Sequence, residues 1–209
     1  VGRYSRLQMI AIIDYGMGNL RNVQKGFEYI GYEAVVTDDP RIIHDSSHVV
    51  LPGVGAFADA MENLKKTGLI ESIYRSVEKG KPFLGICLGL QLLFDKSHEG
   101  GLFEGLSLLP GEVKRLPEDK GIKIPHMGWN RLKYKGNPIF ENISEPAYVY
   151  FVHSYYVEPE NPGDVIATVY YGMDIPVAVN MENVYGLQFH PEKSSGEGLK
   201  ILKNFAKLK

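Results

Sequence analysis

Pro82-Phe83-Leu84-Gly85-Ile86-Cys87-Leu88-Gly89-Leu90-Gln91-Leu92-Leu93-Phe94 decides the fold of this chain. Pro82 to Ile86 is a short apolar run of the kind that forms a buried strand, and Leu88 to Phe94 has the apolar spacing of a buried helix. Between them stands Cys87, the only cysteine, with Gly85 and Gly89 two residues to either side. A nucleophilic side chain at a tight strand-to-helix turn, flanked by such glycines, has the form of a nucleophile elbow with Cys in place of Ser. Side chains at the glycine positions would clash with the adjoining strand and helix. The turn lifts the thiol out at the top of a sheet and sets it at a helix N-terminus, where the dipole and free N–H groups favour thiolate. The plainer alternative is a buried cysteine serving as a small hydrophobe.

Upstream, Met9 to Asp14 is the near-continuous apolar run of a central parallel strand. Tyr15-Gly16-Met17-Gly18-Asn19 follows as a glycine-rich loop, and a helix is predicted from Leu20 to Ile30. The loop fails the dinucleotide fingerprint, because the third glycine position holds Arg21. Strands are predicted over Glu33–Thr37 and His48–Leu51, the latter ending in Pro52-Gly53-Val54-Gly55, and helices over Ala56–Lys66 and Leu69–Lys79. This alternation predicts an α/β fold: an open, mixed, largely parallel sheet with helices on both faces. Ligands of such sheets bind beyond the carboxyl ends of the strands, so Tyr15–Asn19, Pro52–Gly55 and Cys87 are expected to converge.

After Leu102 the texture changes to short strands at Glu112–Leu116, Gly121–Tyr134, Tyr148–Val157, Val165–Tyr171, Pro176–Asn180 and Val184–Phe189. Their close spacing suggests antiparallel hairpins packed onto or extending the sheet. Gly198–Lys207 reads as an amphipathic helix with Leu199, Leu202, Phe205 and Ala206 on one face. No long linker interrupts residues 9–209, which are expected to form a single domain. Val1–Gln8 is polar and basic, unlike a signal peptide, and reads as a foreign remnant or disordered leader.

Composition narrows the class of function. A chain of 209 residues with 44% hydrophobic and 23% charged residues has material for one large core. A net charge of −2 lacks the basic excess of a nucleic-acid binder. No apolar run approaches the roughly 18 residues that a membrane helix needs. One cysteine forms no internal disulfide, which suits a reducing cytoplasm.

A cysteine nucleophile needs a base, and the base needs an orienter. Of the histidines His44, His48, His98, His126, His153 and His190, the last ends the apolar run Tyr185–Phe189, at the same sheet edge as Cys87. Glu192 lies two residues on, past the stiff Pro191. In extended backbone, residues two apart point the same way, so Glu192 is placed to fix the imidazole. The bland alternative makes His190 a polar strand end and Glu192 a solvated charge. His126 and His153 are separated in the sequence, and no cluster has metal-ligand spacing.

The run Gly85 to Gln91, followed a hundred residues later by His190-Pro191-Glu192, resembles the class I (triad) glutamine amidotransferases. Pro52–Gly55 falls where that family carries its oxyanion loop. The resemblance covers Met9 to about Leu208 and implies Cys87, His190 and Glu192 as catalytic residues, with no cofactor. It implies backbone N–H groups of Val54 and Leu88 as the oxyanion hole, Val54 after a peptide flip. It places glutamine against Gly53, Gly55, Gln91, Glu99 and the backbone of Ser154 and Tyr155. Four further stretches, Asp14–Asn19, Pro125–Asn130, Tyr150–Tyr155 and His190–Ser194, resemble the glutaminase subunits of imidazole glycerol phosphate synthases. Those subunits pass ammonia to a (β/α)8-barrel cyclase in histidine biosynthesis. By resemblance, Asn19, Trp129, Tyr150 and Lys193 are the interface candidates, with a core-filling role for Trp129 equally open. The competing readings are an amidotransferase for another acceptor and an inactive amidotransferase-like binding module.

Overall fold

Ile10–Ile13 (β1) is buried at all four positions, as a strand covered on both faces must be. Ile10 and Ile12 join one hydrophobic cluster, Ala11 and Ile13 the other. The computed structural model describes residues 9–118 and 121–209; Val1–Gln8, read above as a foreign remnant or disordered leader, lies outside them. After β1 come α1 (Leu20–Tyr29), β2 (Ala34–Thr37), α2 (Pro40–Asp45), β3 (His48–Gly53), α3 (Phe57–Thr67), α4 (Ile70–Glu78), β4 (Phe83–Cys87) and α5 (Leu88–Leu92). The second half adds β5 (Phe94–Ser97), β6 (Phe103–Glu104), β7 (Leu109–Arg115), β8 (His126–Tyr134), β9 (Ala147–His153), β10 (Tyr155–Pro159), β11 (Val165–Tyr170), β12 (Asp174–Met181), β13 (Val184–Leu187) and α6 (Ser195–Ala206).

Among the described residues, nine strands form one mixed sheet in the order β2-β1-β3-β4-β13-β12-β11-β8-β9. The stretch from β2 to β13 is parallel, and the remainder is antiparallel. Val23 and Phe27 of α1 and Ile201, Leu202 and Phe205 of α6 share the cluster of Ile10 and Ile12. Phe57 and Leu64 of α3 and Ile73 of α4 share that of Ala11 and Ile13. This is the expected open α/β sheet with helices on both faces. A smaller sheet, β10-β7-β5-β6, sits beside it.

The structure departs from the sequence reading in several places. Helix α2 was not anticipated, although Asp39 caps it by accepting from the Arg41 N–H at 2.8 Å and Pro40 opens it. The helix after Cys87 stops at Leu92, and Phe94 to Ser97 pairs instead as β5. The run predicted over Gly121–Tyr134 becomes a strand only from His126. The single strand predicted over Tyr148–Val157 breaks at Ser154: β9 belongs to the large sheet and β10 to the small one.

A fifth difference concerns His126 and His153, which the antiparallel pairing of β8 with β9 sets directly opposite each other. His126 Nδ1 lies 2.9 Å from His153 Nε2. His153 Nδ1 donates to the Tyr155 carbonyl at 2.8 Å, so its Nε2 accepts and His126 Nδ1 carries the proton. Both rings are neutral. Burial lowers the His126 pKa to about 4. Burial, followed by the charges of His126 and His190, lowers that of His153 to about 3, against the Tyr155 carbonyl.

Two outcomes follow. A Cβ at Gly89 would run into the Leu51 carbonyl oxygen, whereas Gly136 is exposed and open on all sides. In urea titrations Gly89→Ala should lower the unfolding free energy by more than about 2 kcal/mol, or leave no folded protein, while Gly136→Ala stays within about 0.5 kcal/mol. Unfolded histidines take up protons near pH 6.5, but the folded pair does so only near 4 and 3, so stability falls as pH drops from about 6.5 towards 4. Urea titrations at pH 7 and pH 4.5 should show a loss of about 2 kcal/mol from His126, a loss reduced in His126→Gln. An unchanged pH slope in that variant would remove the explanation.

Candidate active site

Three adjacent parallel strands bring the chemistry to one edge. Gly53 of β3 is in register with Cys87 of β4, and Leu187 of β13 is in register with Ile86. The segments following β3 and β13, Val54–Gly55 and Gln188–His190, therefore flank Cys87 on its two sides. Cys87 itself has φ 56° and ψ −113°, a left-handed conformation that costs a non-glycine residue of the order of 1–3 kcal/mol. Packing holds it there. A Cβ at Gly85 would sit 2.8 Å from the Leu90 backbone, and one at Gly89 would meet Leu51. Both glycines let α5 press against the sheet, so the chain can leave β4 only by the sharp turn at Cys87.

Beyond β13, the His190 N–H donates to the Tyr150 carbonyl at 3.1 Å. Pro191–Lys193 is then a turn of 3-10 helix. The His190–Glu192 pair forms, but through this turn rather than the extended backbone expected. His190 Nδ1 lies 2.8 Å from Glu192 Oε1, with both side chains almost wholly buried. The carboxylate accepts, so Nδ1 carries a proton and Nε2 is the nitrogen on the Cys87 side. Nε2 closes no aligned hydrogen bond, yet the sulfur acts on the ring. Burial opposes the charge of His190, but hydrogen bonding and attraction to Cys87 and Glu192 outweigh it and raise the pKa to about 9. Apo enzymes often hold such pairs loosely and tighten them on ligand binding.

A cavity of about 370 Å³ opens beside the thiol, within the size range of small-molecule sites. Val54, Gly55, Leu88, Gln91, Glu99, Ser154 and Tyr155 line it together with Cys87 and His190. Of the residues expected around glutamine, only Gly53 stands behind the wall. Leu88 is the first residue of α5, so its N–H has no partner within the helix. Glu99 carries an additional duty: its Oε2 accepts from the Phe57 N–H at 2.9 Å and caps α3, whose own cap residue, Ala56, has no side-chain acceptor. Gln91 spends its amide N–H groups on the Tyr155 carbonyl at 3.2 Å and on Gln188 Oε1 at 3.1 Å.

Of the four interface candidates, Trp129 and Tyr150 are cross-strand partners in T-shaped contact, their ring centroids 6.1 Å apart. Trp129 is 52% exposed, which excludes the core-filling alternative. Lys193 is exposed beside them, since the Tyr150 N–H donates to Ser194 Oγ at 3.0 Å. Asn19 stands at the start of α1 with its side chain capping nothing.

Sequence reasoning missed two residues. Buried Tyr15 donates its hydroxyl to the Pro52 carbonyl at 2.9 Å, bracing the segment that leads to Val54. Burial, and then the nearby Cys87, raise its pKa, so it stays a donor. Gln188, wholly buried, places its side-chain nitrogen 3.8 Å from Cys87 Sγ. Its position two residues before His190 was the available signal.

Comparison with known proteins agrees with this geometry. Residues 11–208 match the family described as Glutamine amidotransferase class-I. An imidazole glycerol phosphate synthase subunit HisH from Geobacter metallireducens is 55% identical over 203 residues, covering 94% of this chain and 97% of that protein. A HisH subunit from Moorella thermoacetica is 54% identical, covering 97% and 96%. A solved structure of PurLQS from Thermotoga maritima superposes with a TM-score of 0.73 at 21% identity, covering 94% of this chain and 96% of that one, a likeness of fold. The chain belongs to the class I glutamine amidotransferases and, within them, to the HisH family.

Proposed function

We propose that the cavity hydrolyses the side-chain amide of glutamine and that the ammonia passes to a separate (β/α)8-barrel cyclase subunit. That subunit makes imidazole glycerol phosphate and aminoimidazole carboxamide ribotide in histidine biosynthesis. The observation that carries the reading is the strained Cys87 turn, with a buried His190–Glu192 pair beside it, at the wall of an amino-acid-sized cavity. A free thiol as nucleophile suits the reducing cytoplasm.

The raised pKa of His190 favours a thiolate–imidazolium pair. Cys87 Sγ attacks the amide carbon, and the oxyanion is met by the N–H groups of Leu88 and Val54. Val54 reaches that orientation by a peptide flip, which Gly55, at φ 107°, permits. His190 gives its proton to the leaving nitrogen, and ammonia departs from the thioester. Water then attacks with His190 as base, releasing glutamate and regenerating Cys87, so glutamine and water become glutamate and ammonia. Glu192 holds the imidazole throughout.

The amino-acid head of glutamine meets the far end of the cavity. Gln91 has only its Oε1 left to offer, and with Glu99 it suits the ammonium group. The Ser154 carbonyl accepts from the Leu116 N–H, and that of Tyr155 is engaged by His153 and Gln91. What this segment offers a ligand is therefore N–H, which suits the carboxylate. Trp129, Tyr150 and Lys193 form the docking face, with aromatic anchors as at protein interfaces generally, and Asn19 extends it. A docked partner also keeps the released ammonia from protonation in bulk water.

Glutamate release should be low for the purified chain alone, rise at least tenfold with the barrel cyclase and its phosphorylated ribonucleotide substrate, and vanish in Cys87→Ala. Trp129→Ala should weaken cyclase binding about tenfold or more without changing the basal rate. High activity indifferent to the cyclase would point to another acceptor. Bound cyclase without glutamate release would leave an inactive module.

A further inference from the structure

The donor pattern beside the nucleophile is dictated by Tyr155, 64 residues beyond Gln91 in the chain. The Tyr155 carbonyl can only accept, so the Gln91 atom facing it is the amide nitrogen. The same nitrogen faces Gln188 at 3.1 Å, so the Gln188 atom there is the oxygen. The Gln188 NH2 group is thereby turned to the other side, 3.8 Å from Cys87 Sγ. Turning the Gln91 amide would set an oxygen against the Tyr155 carbonyl, whose other hydrogen bond fixes the tautomers of His153 and His126, and turning the Gln188 amide alone would set two NH2 groups against each other.

We propose that Gln188 is a further catalytic residue, whose side-chain N–H donates to the Cys87 thiolate and keeps the sulfur charged and aimed into the cavity. Two features of the site call for such a donor. Helix α5 has only five residues, so its dipole contributes less than a full helix would. His190 reaches the sulfur from one side without an aligned hydrogen bond. Gln188 approaches from the residue that directly follows β13, the strand beside β4, is wholly buried, and has its orientation locked at the oxygen end. A hydrogen bond to a charged acceptor is stronger than one to a neutral thiol, so the contact shortens as the thiolate forms. A mere bridge between β13 and α5 would need the Gln91–Gln188 bond alone and would leave the NH2 end without purpose. The proposal rests on Cys87 as the nucleophile, but its test does not require that glutamine be hydrolysed.

Iodoacetamide alkylation reads the sulfur directly, because Cys87 is the only thiol. Among the described residues, the titratable groups around Cys87 are His190, after β13, Tyr15, after β1, and, lining the same cavity, Glu99 and His153. All four remain in the Gln188→Met variant, which keeps the side-chain length without the N–H. The full-length variant should show its alkylation profile moved to higher pH, a rate at pH 7 about tenfold lower, and kcat lowered about tenfold or more with KM within about twofold. A folded variant with reduced stability but an unmoved profile would show that Gln188 is structural and would overturn the proposal. In the unaltered chain, the Gln188 side-chain amide proton should shift by NMR with the same pH midpoint as alkylation. An amide signal indifferent to that midpoint overturns the proposal even if Gln188→Met does not fold.

Discussion

The close contact of Gly89 with the Leu51 carbonyl is the constraint on which the rest depends. It lets α5 lie against the sheet with no intervening side chain. With Gly85 also crowded, the chain between β4 and α5 has no relaxed path, and Cys87 takes the left-handed conformation. The strain is offset by burial along β4, where all five residues are inside. The outcome is a thiol at the carboxyl edge of the sheet, still buried but lining the cavity. Register does the remainder: β3 and β13, paired to either side of β4, end at the same level and deliver Val54 and His190 to the sulfur.

The antiparallel half of the sheet is a support for this edge. Strand β9 holds His190 through the Tyr150 carbonyl and ends in His153, whose proton position is set by the Tyr155 carbonyl. That oxygen organises donors in two directions. One line runs through His153 to His126 and, at 3.3 Å, the Asn130 amide, next to exposed Trp129. The other runs through Gln91 to Gln188 and Cys87 Sγ. Buried polar chains of this kind hold one geometry only when every member is satisfied. The same chain therefore runs from the proposed docking face to the sulfur of the proposed nucleophile.

Much of this was legible in the sequence, for reasons that differ by residue. Gly85, Cys87 and Gly89 declare themselves because a tight turn imposes local spacing, and His190 and Glu192 because they follow an apolar strand. The parallel core was legible from its apolar runs alone. The contacts of Tyr15 with Pro52, His126 with His153 and Gln91 with Gln188 were not, since they join residues 37, 27 and 97 positions apart. No periodicity reports such pairings; strand order does, and the return of β13 to the parallel core beside β4 was the topological step that local pattern could not supply. The break at Ser154 was hidden for a similar reason, because Tyr148 to Val157 is continuously strand-like although its halves serve different sheets. Glu99 shows a further limit: it lines the cavity, yet it also caps α3, 42 residues away.

The central claim is that glutamine becomes covalently attached to Cys87. The most direct measurement is acid quenching of the chain during turnover of isotopically labelled glutamine, with the cyclase and its ribonucleotide present, followed by peptide mapping. A glutamyl group in thioester linkage should appear on the peptide containing Cys87 and be lost at neutral pH with hydroxylamine. Turnover that proceeds at full rate in Cys87→Ala, or label that maps to any other residue, would contradict it.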